Sequence, residues 1–75
     1  MPKTPRVTPQ QMVRALEKAG FREDRQRGSH LTLRHTAHGR RATVSMHRRT
    51  LDVGTIHSIL KQAGLSVEDF IELLK

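Results

Sequence analysis

Between Val7 and Gly20 the apolar residues Met12, Val13, Leu16 and Ala19 share one face at helical spacing. Thr8 suits the N-cap, Pro9 the first helical position, and Gln11 the third, completing a capping box. Val7 and Met12 stand where a hydrophobic staple needs them, and Gly20 followed by Phe21 supplies the stop. The pattern then changes. Arg22 to Gln26 is short and polar, the signature of an edge strand, and Arg27-Gly28-Ser29 makes a turn. From His30 to His35, and again from Arg41 to Met46, apolar and polar residues alternate with period two. His38-Gly39 lies between these runs and suits a tight hairpin.

Helical spacing returns after a basic loop from His47 to Thr50. Ile56, Ile59, Leu60 and Ala63 form the stripe, Asp52 caps its start, and Gly64-Leu65 ends it. Ser66 caps a last helix carrying Val67, Phe70, Ile71 and Leu74, with Glu68 and Asp69 in the first turn, where the helix dipole favours acidic groups. The order α-β-β-β-α-α predicts an α+β fold in which a three-stranded antiparallel meander has helices on one face. In a chain of 75 residues this is a single domain, expected over residues 7–75, with residues 1–6 a flexible terminus.

The hairpin sets a register. With His38 and Gly39 as its two central residues, Leu33 faces Val44, Leu31 faces Met46 and His35 faces Ala42. On the other side Arg34 faces Thr43, Thr32 faces Ser45 and His30 faces His47. A one-residue slip would set Leu31 and Leu33 against polar partners. His30 is thereby expected on the open side of the sheet, its Cβ about 5 Å from that of His47 if the pairing is direct.

Charge gives this face its meaning. Lysine and arginine number 14 against 7 acidic residues, a net charge of +7, and most of the cations are arginine, whose planar fork suits phosphate. A nucleic acid is the natural partner, because no helix joins a basic face to a large apolar one as a membrane-surface helix would. Tyrosine and tryptophan are absent and only Phe21 and Phe70 are aromatic, so contacts should fall on phosphates rather than stacked bases. The chain has no cysteine, no apolar run long enough to span a membrane, and no apolar core to its "MPKTPR" start. A cytoplasmic location is expected. The alternative is a basic domain whose charge serves solubility alone.

Arg25, Arg27, Arg48 and Arg49 gather near His30 and His47, a cationic patch holding two imidazoles. RNA cleavage without a metal needs little more than this. The 2′-hydroxyl is the nucleophile, so the protein need supply only a base, cations for the developing charge, and an acid for the leaving oxygen. The plainer reading of an exposed histidine on a basic face is a surface residue. Other constellations are weaker. His35 and His38 have H-x-x-H spacing but straddle a turn without further ligands, so no metal is expected. Ser29 and His30 are adjacent in sequence, should point to opposite faces, and lack an orienting carboxylate. His57 should lie on the exposed side of its helix.

The segments "LEKAGF", "RGSHLTLRH", "RRATVSMH" and "GTIHSILKQAGLSVEDFIELL" closely resemble the HicA toxins, small bacterial mRNA interferases. The likeness runs from about Thr8 to Leu74, and the Gly-Ser-His motif is its most specific part. It implies a fold like the double-stranded-RNA-binding domain with a short extra helix. It also implies a toxin that cleaves mRNA with the histidine of that motif, here His30, without metal or other cofactor. The implied partner is a HicB-like antitoxin covering the active face, with DNA reached only through the antitoxin. Where the family often has proline two residues before the histidine closing the third strand, this chain has Ser45 in "VSMH", so that strand is expected to run slightly longer. His47 is retained, either as a second acid–base group or to position phosphate.

The combined reading makes His30 the catalytic residue and His47 a further candidate. Arg25, Arg27, Gly28, Ser29, Arg34, Arg48 and Arg49 would bind RNA, and Gly28 would permit the turn that presents His30. Two other classes fit the residues. A module of the same fold could hold RNA without cutting it, and a ribosome-associated basic domain would neither cut RNA nor have an acidic partner.

Overall fold

The computed structural model describes residues 3–75. Helix α1 spans Pro9–Lys18 and begins with the expected capping box, the Thr8 hydroxyl accepting from the Gln11 N–H and the Gln11 side chain returning to the Thr8 N–H. Val7 and Met12 are both buried. Strands β1 (Phe21–Arg27), β2 (His30–His35) and β3 (Arg41–Ser45) form an antiparallel sheet in the order β1-β2-β3. Helices α2 (Val53–Ala63) and α3 (Val67–Leu73) follow, capped by Asp52 and Ser66, and Gly64 ends α2 in the left-handed conformation. This is α+β, the double-stranded-RNA-binding-domain-like α-β-β-β-α order with a short third helix.

The core lies between the sheet and the helices. Leu31, Leu33, Ala42 and Val44 point inward from β2 and β3 to meet Met12 and Leu16 of α1, and Ile56, Ile59 and Leu60 of α2. Phe21 and Phe70 are fully buried at its ends. Burying one such side chain contributes about 1.5–3 kcal/mol, so this cluster fixes which face of the sheet is closed. Of the terminus expected to be flexible, residues 1 and 2 lie outside the described residues, and the Thr4 hydroxyl sits 2.7 Å from Nε2 of His57 on the exposed side of α2. Among the described residues no helix is long and apolar enough to cross a membrane.

The hairpin register differs from the expected one by two residues. Leu31 faces Val44, Leu33 faces Ala42, Thr32 faces Thr43 and Arg34 faces Arg41. His30 faces Ser45, not His47. The turn is longer than His38-Gly39: His35 and Arg40 close it, with His35 N–H donating to Arg40 O at 2.8 Å and Gly39 N–H to His35 O at 3.1 Å. A shift of two preserves the faces, so the inward and outward sets stay as expected. Strand β3 ends at Ser45 rather than running on, although Met46 N–H still donates to Ser29 O at 2.6 Å.

The His35 ring explains the longer turn. Its Nδ1 accepts from the N–H groups of Ala37 and His38, at 3.0 and 3.2 Å, so Nε2 carries the proton and donates to Ala19 O at 2.9 Å. His38 stacks on it at 3.6 Å between centroids and takes the Arg40 N–H on its own Nδ1. The H-x-x-H pair is thus a turn-and-helix clamp.

Strand β1 carries an unexpected bulge. Phe21 points into the core opposite His35, and regular alternation would send Arg25 and Arg27 to the same side. Instead the register shifts between Glu23 and Arg25, leaving Asp24 as the extra residue, and Arg25 faces Thr32 while Arg27 faces His30. Both arginines come to the open face.

Candidate active site

The site is built on the β1–β2 turn. Gly28 has φ 56 and Ser29 an ordinary negative φ, the arrangement of a type II′ hairpin with glycine at its first central position. A Cβ on Gly28 would touch nothing within 4 Å, so conformation and not crowding requires glycine here. The turn delivers His30 as the first residue of β2, exposed on the open face between Arg27 on one side and Ser45 on the other.

His47 reaches the same place from beyond the end of β3. Its ring lies edge-to-face against that of His30, with centroids 6.3 Å apart and planes at 77°. The Ser29 hydroxyl lies 3.0 Å from His47 Nδ1. The expected neighbourhood of the two histidines therefore exists, but as a contact between a strand residue and a post-strand turn, not as a ladder pair. The Ser29 hydroxyl has the other histidine, His47, as its partner.

The cations divide by position. Arg27 is directly beside His30, and Arg25 stands one row further in, opposite Thr32, whose hydroxyl meets that of Thr43 at 3.1 Å. Arg48 and Arg49 are exposed in the turn after His47. Hydrogen bonds from Thr55 hold the Asp52 carboxyl below its ordinary range, and the charges of Arg48 and then Arg6 reinforce this against desolvation, so Arg48 lies within electrostatic reach of the start of α2. Arg34 is not brought to His30. Four residues along β2 place it about 13 Å away, and its guanidinium leans toward the hairpin tip, where a Cβ on Gly39 would meet Nη2 at 3.4 Å.

Three further charged groups start on the open face. Asp24, the extra residue of the bulge, pairs with Arg41 across the sheet at 3.3 Å. Arg22 starts on this face opposite Arg34 but turns its guanidinium to the carbonyls of Glu17 and Phe21, at 3.0 and 2.7 Å, where it caps the end of α1. Neither contact could be read from the sequence, because Arg22 and Asp24 both lie in a uniformly polar run that carries no pattern to place them. Two grooves lie elsewhere. One of about 270 Å³ lies between the end of α1 and Leu73–Lys75, the other, of about 440 Å³, is lined by Thr4, His57 and the α2–α3 junction.

The molecule is thus a small α+β domain with one sheet face closed by helices and the other presenting arginine and paired histidines. Residues 9–65, more than half of the chain and including every residue just placed around His30, match the family model described as HicA toxin of bacterial toxin–antitoxin systems. The chain belongs to the HicA toxin family. Membership gives it the toxin role in a toxin–antitoxin pair and an antitoxin as partner. No curated protein matches it significantly.

Proposed function

We propose that this toxin is an endoribonuclease that cleaves mRNA at His30, with residues 7–75 as the toxin domain. One observation carries the reading: His30 stands exposed in the ladder between Arg27 and Ser45, with a second imidazole beside it. A phosphodiester laid on the open face meets a proton acceptor next to a guanidinium. The 2′-hydroxyl attacks phosphorus, His30 handles the proton, and Arg27 with Arg25 lowers the cost of charge on the phosphoryl oxygens. Arg48 and Arg49 extend the cationic surface beyond β3, and Arg34 serves more distant phosphates. Because RNA carries its own nucleophile, the residues need neither a metal nor a cofactor to complete this chemistry.

The antitoxin, in this reading HicB-like, covers the open face and contributes acidic groups to the arginines. DNA is reached only through that partner, and the cytoplasm is where mRNA and antitoxin are met. The second reading, an RNA-binding module of the same fold that does not cut, fits a site that neither of the two grooves reaches. Incubating the protein with mRNA in excess EDTA tests the choice. Cleavage leaving 2′,3′-cyclic phosphate and 5′-hydroxyl ends supports the nuclease. Intact RNA bound with strong salt dependence supports the module.

A further inference from the structure

We infer that Ser29 is a positioning residue that makes His47 the general acid of the same reaction, so that the site works with two histidines in unlike roles. The inference rests on the nuclease reading above and assigns what that reading leaves open: how the leaving oxygen receives its proton.

Three contacts carry it. The Ser29 hydroxyl is 3.0 Å from His47 Nδ1, the His30 and His47 rings stand 6.3 Å apart, and Met46 N–H binds Ser29 O at 2.6 Å. The last contact ties the residue before His47 to the turn before His30, so the two rings are held by one short piece of backbone. With Nδ1 engaged by serine, Nε2 is the nitrogen left to face a substrate. The hydroxyl can accept from Nδ1–H, which the ring keeps both as the imidazolium and, once Nε2 has given up its proton, as the neutral Nδ1–H tautomer. The same contact therefore holds the ring before and after it gives up its proton, and no charged partner has to change state. The centroid spacing allows one phosphodiester to lie with a nitrogen on its 2′ side and another on its 5′ side, each at about 2.6–3.2 Å from its oxygen.

The roles follow from the neighbours. Arg27 stands directly across from His30, so the guanidinium that holds the phosphate is beside the ring assigned to the 2′-hydroxyl. Ser29 offers His47 the acceptor that a protonated Nδ1 needs. Neutral His30 takes the 2′-hydroxyl proton as that oxygen bonds to phosphorus. The phosphorus–O5′ bond breaks with its electron pair going to O5′, which takes the proton from Nε2 of the His47 imidazolium. The products are a 2′,3′-cyclic phosphate and a 5′-hydroxyl, and exchange with water resets both rings.

The test uses two versions of one RNA, with oxygen or with sulfur at the 5′ bridging position of the scissile bond. Thiolate leaves without help from an acid, so the sulfur substrate bypasses the group that protonates the leaving atom. On the oxygen substrate His47→Ala should lose about 10²-fold or more in rate, the usual worth of a general acid, and Ser29→Ala about five- to tenfold, the worth of one hydrogen bond. On the sulfur substrate both variants should approach the wild-type rate, while His30→Ala stays slow. Ser29→Thr should keep most activity on the oxygen substrate, and RNA affinity should be unchanged throughout. If wild type cuts neither RNA, the nuclease reading itself fails. If wild type cuts but His47→Ala is unimpaired, or is impaired and not rescued by sulfur, the acid assignment is wrong while the nuclease stands. Rescue of His30→Ala in place of His47→Ala would also overturn it.

Discussion

Arg27 stands directly across the β1–β2 ladder from His30, and it does so only because Asp24 is bulged out of β1. Without the extra residue, the parity set by buried Phe21 would turn Arg27 toward the helices. Arg27→Ala should weaken RNA binding and reduce the slope of log affinity against log salt by about one, the signature of one lost phosphate contact. Arg22→Ala should leave that slope unchanged, because its guanidinium is engaged with the carbonyls of Glu17 and Phe21. Binding titrations at several salt concentrations separate the two.

His35 should matter for folding rather than for RNA. Gly20 has φ 102, and a Cβ there would lie 2.7 Å from His35 Nε2, the atom that donates to Ala19 O. Gly20→Ala should therefore destabilise the fold by about 1–3 kcal/mol from backbone strain, and more if the hydrogen bond is lost. Urea unfolding measures this. A neutral effect would mean that the α1–β1 corner relaxes freely.

Acid should weaken the same corner. His38 sits below its ordinary 6.5, first because its packing against the neighbouring rings desolvates it, then through the charges of His35 and Arg40. The unfolded chain thus binds this proton more readily than the folded one. The contribution is complete above pH 6.5 and is lost as pH falls through the lower folded value. Unfolding midpoints should decline on acidification across that window, and less so in His38→Gln. Equal declines in both proteins would assign the effect to another group.

The Asp24–Arg41 pair invites a different expectation. Its side chains are 37% and 64% exposed, so it adds little to stability. Its position on the RNA-facing side matters more. Asp24→Asn should leave the unfolding midpoint nearly unchanged and raise RNA affinity, because a negative group is removed from the open face and Arg41 is released. Weaker binding by Asp24→Asn would show that the carboxylate orders the face instead.

Much of this architecture is legible in the sequence because its signals are local. Thr8, Asp52 and Ser66 announce helices, Gly28 announces the turn before His30, and alternation in β2 and β3 assigns inward and outward residues. What alternation cannot give is the absolute register, since a shift of two leaves every face unchanged. The His-Gly dipeptide suggested a two-residue turn, whereas the His35 ring accepts backbone N–H groups and stabilises a four-residue one. The β1 bulge left no trace because every residue from Arg22 to Arg27 is polar. The Ser29–His47 contact depends on that register and on a rotamer, and neither is written in the spacing of residues.

The most direct test replaces His30 with alanine and measures cleavage and binding on one RNA in excess EDTA. Wild type should cut, His30→Ala should lose about 10²-fold or more of the rate, and both should bind with similar affinity. If the two cut equally, or neither cuts while both bind, His30 is only part of a basic surface and the nuclease account is wrong.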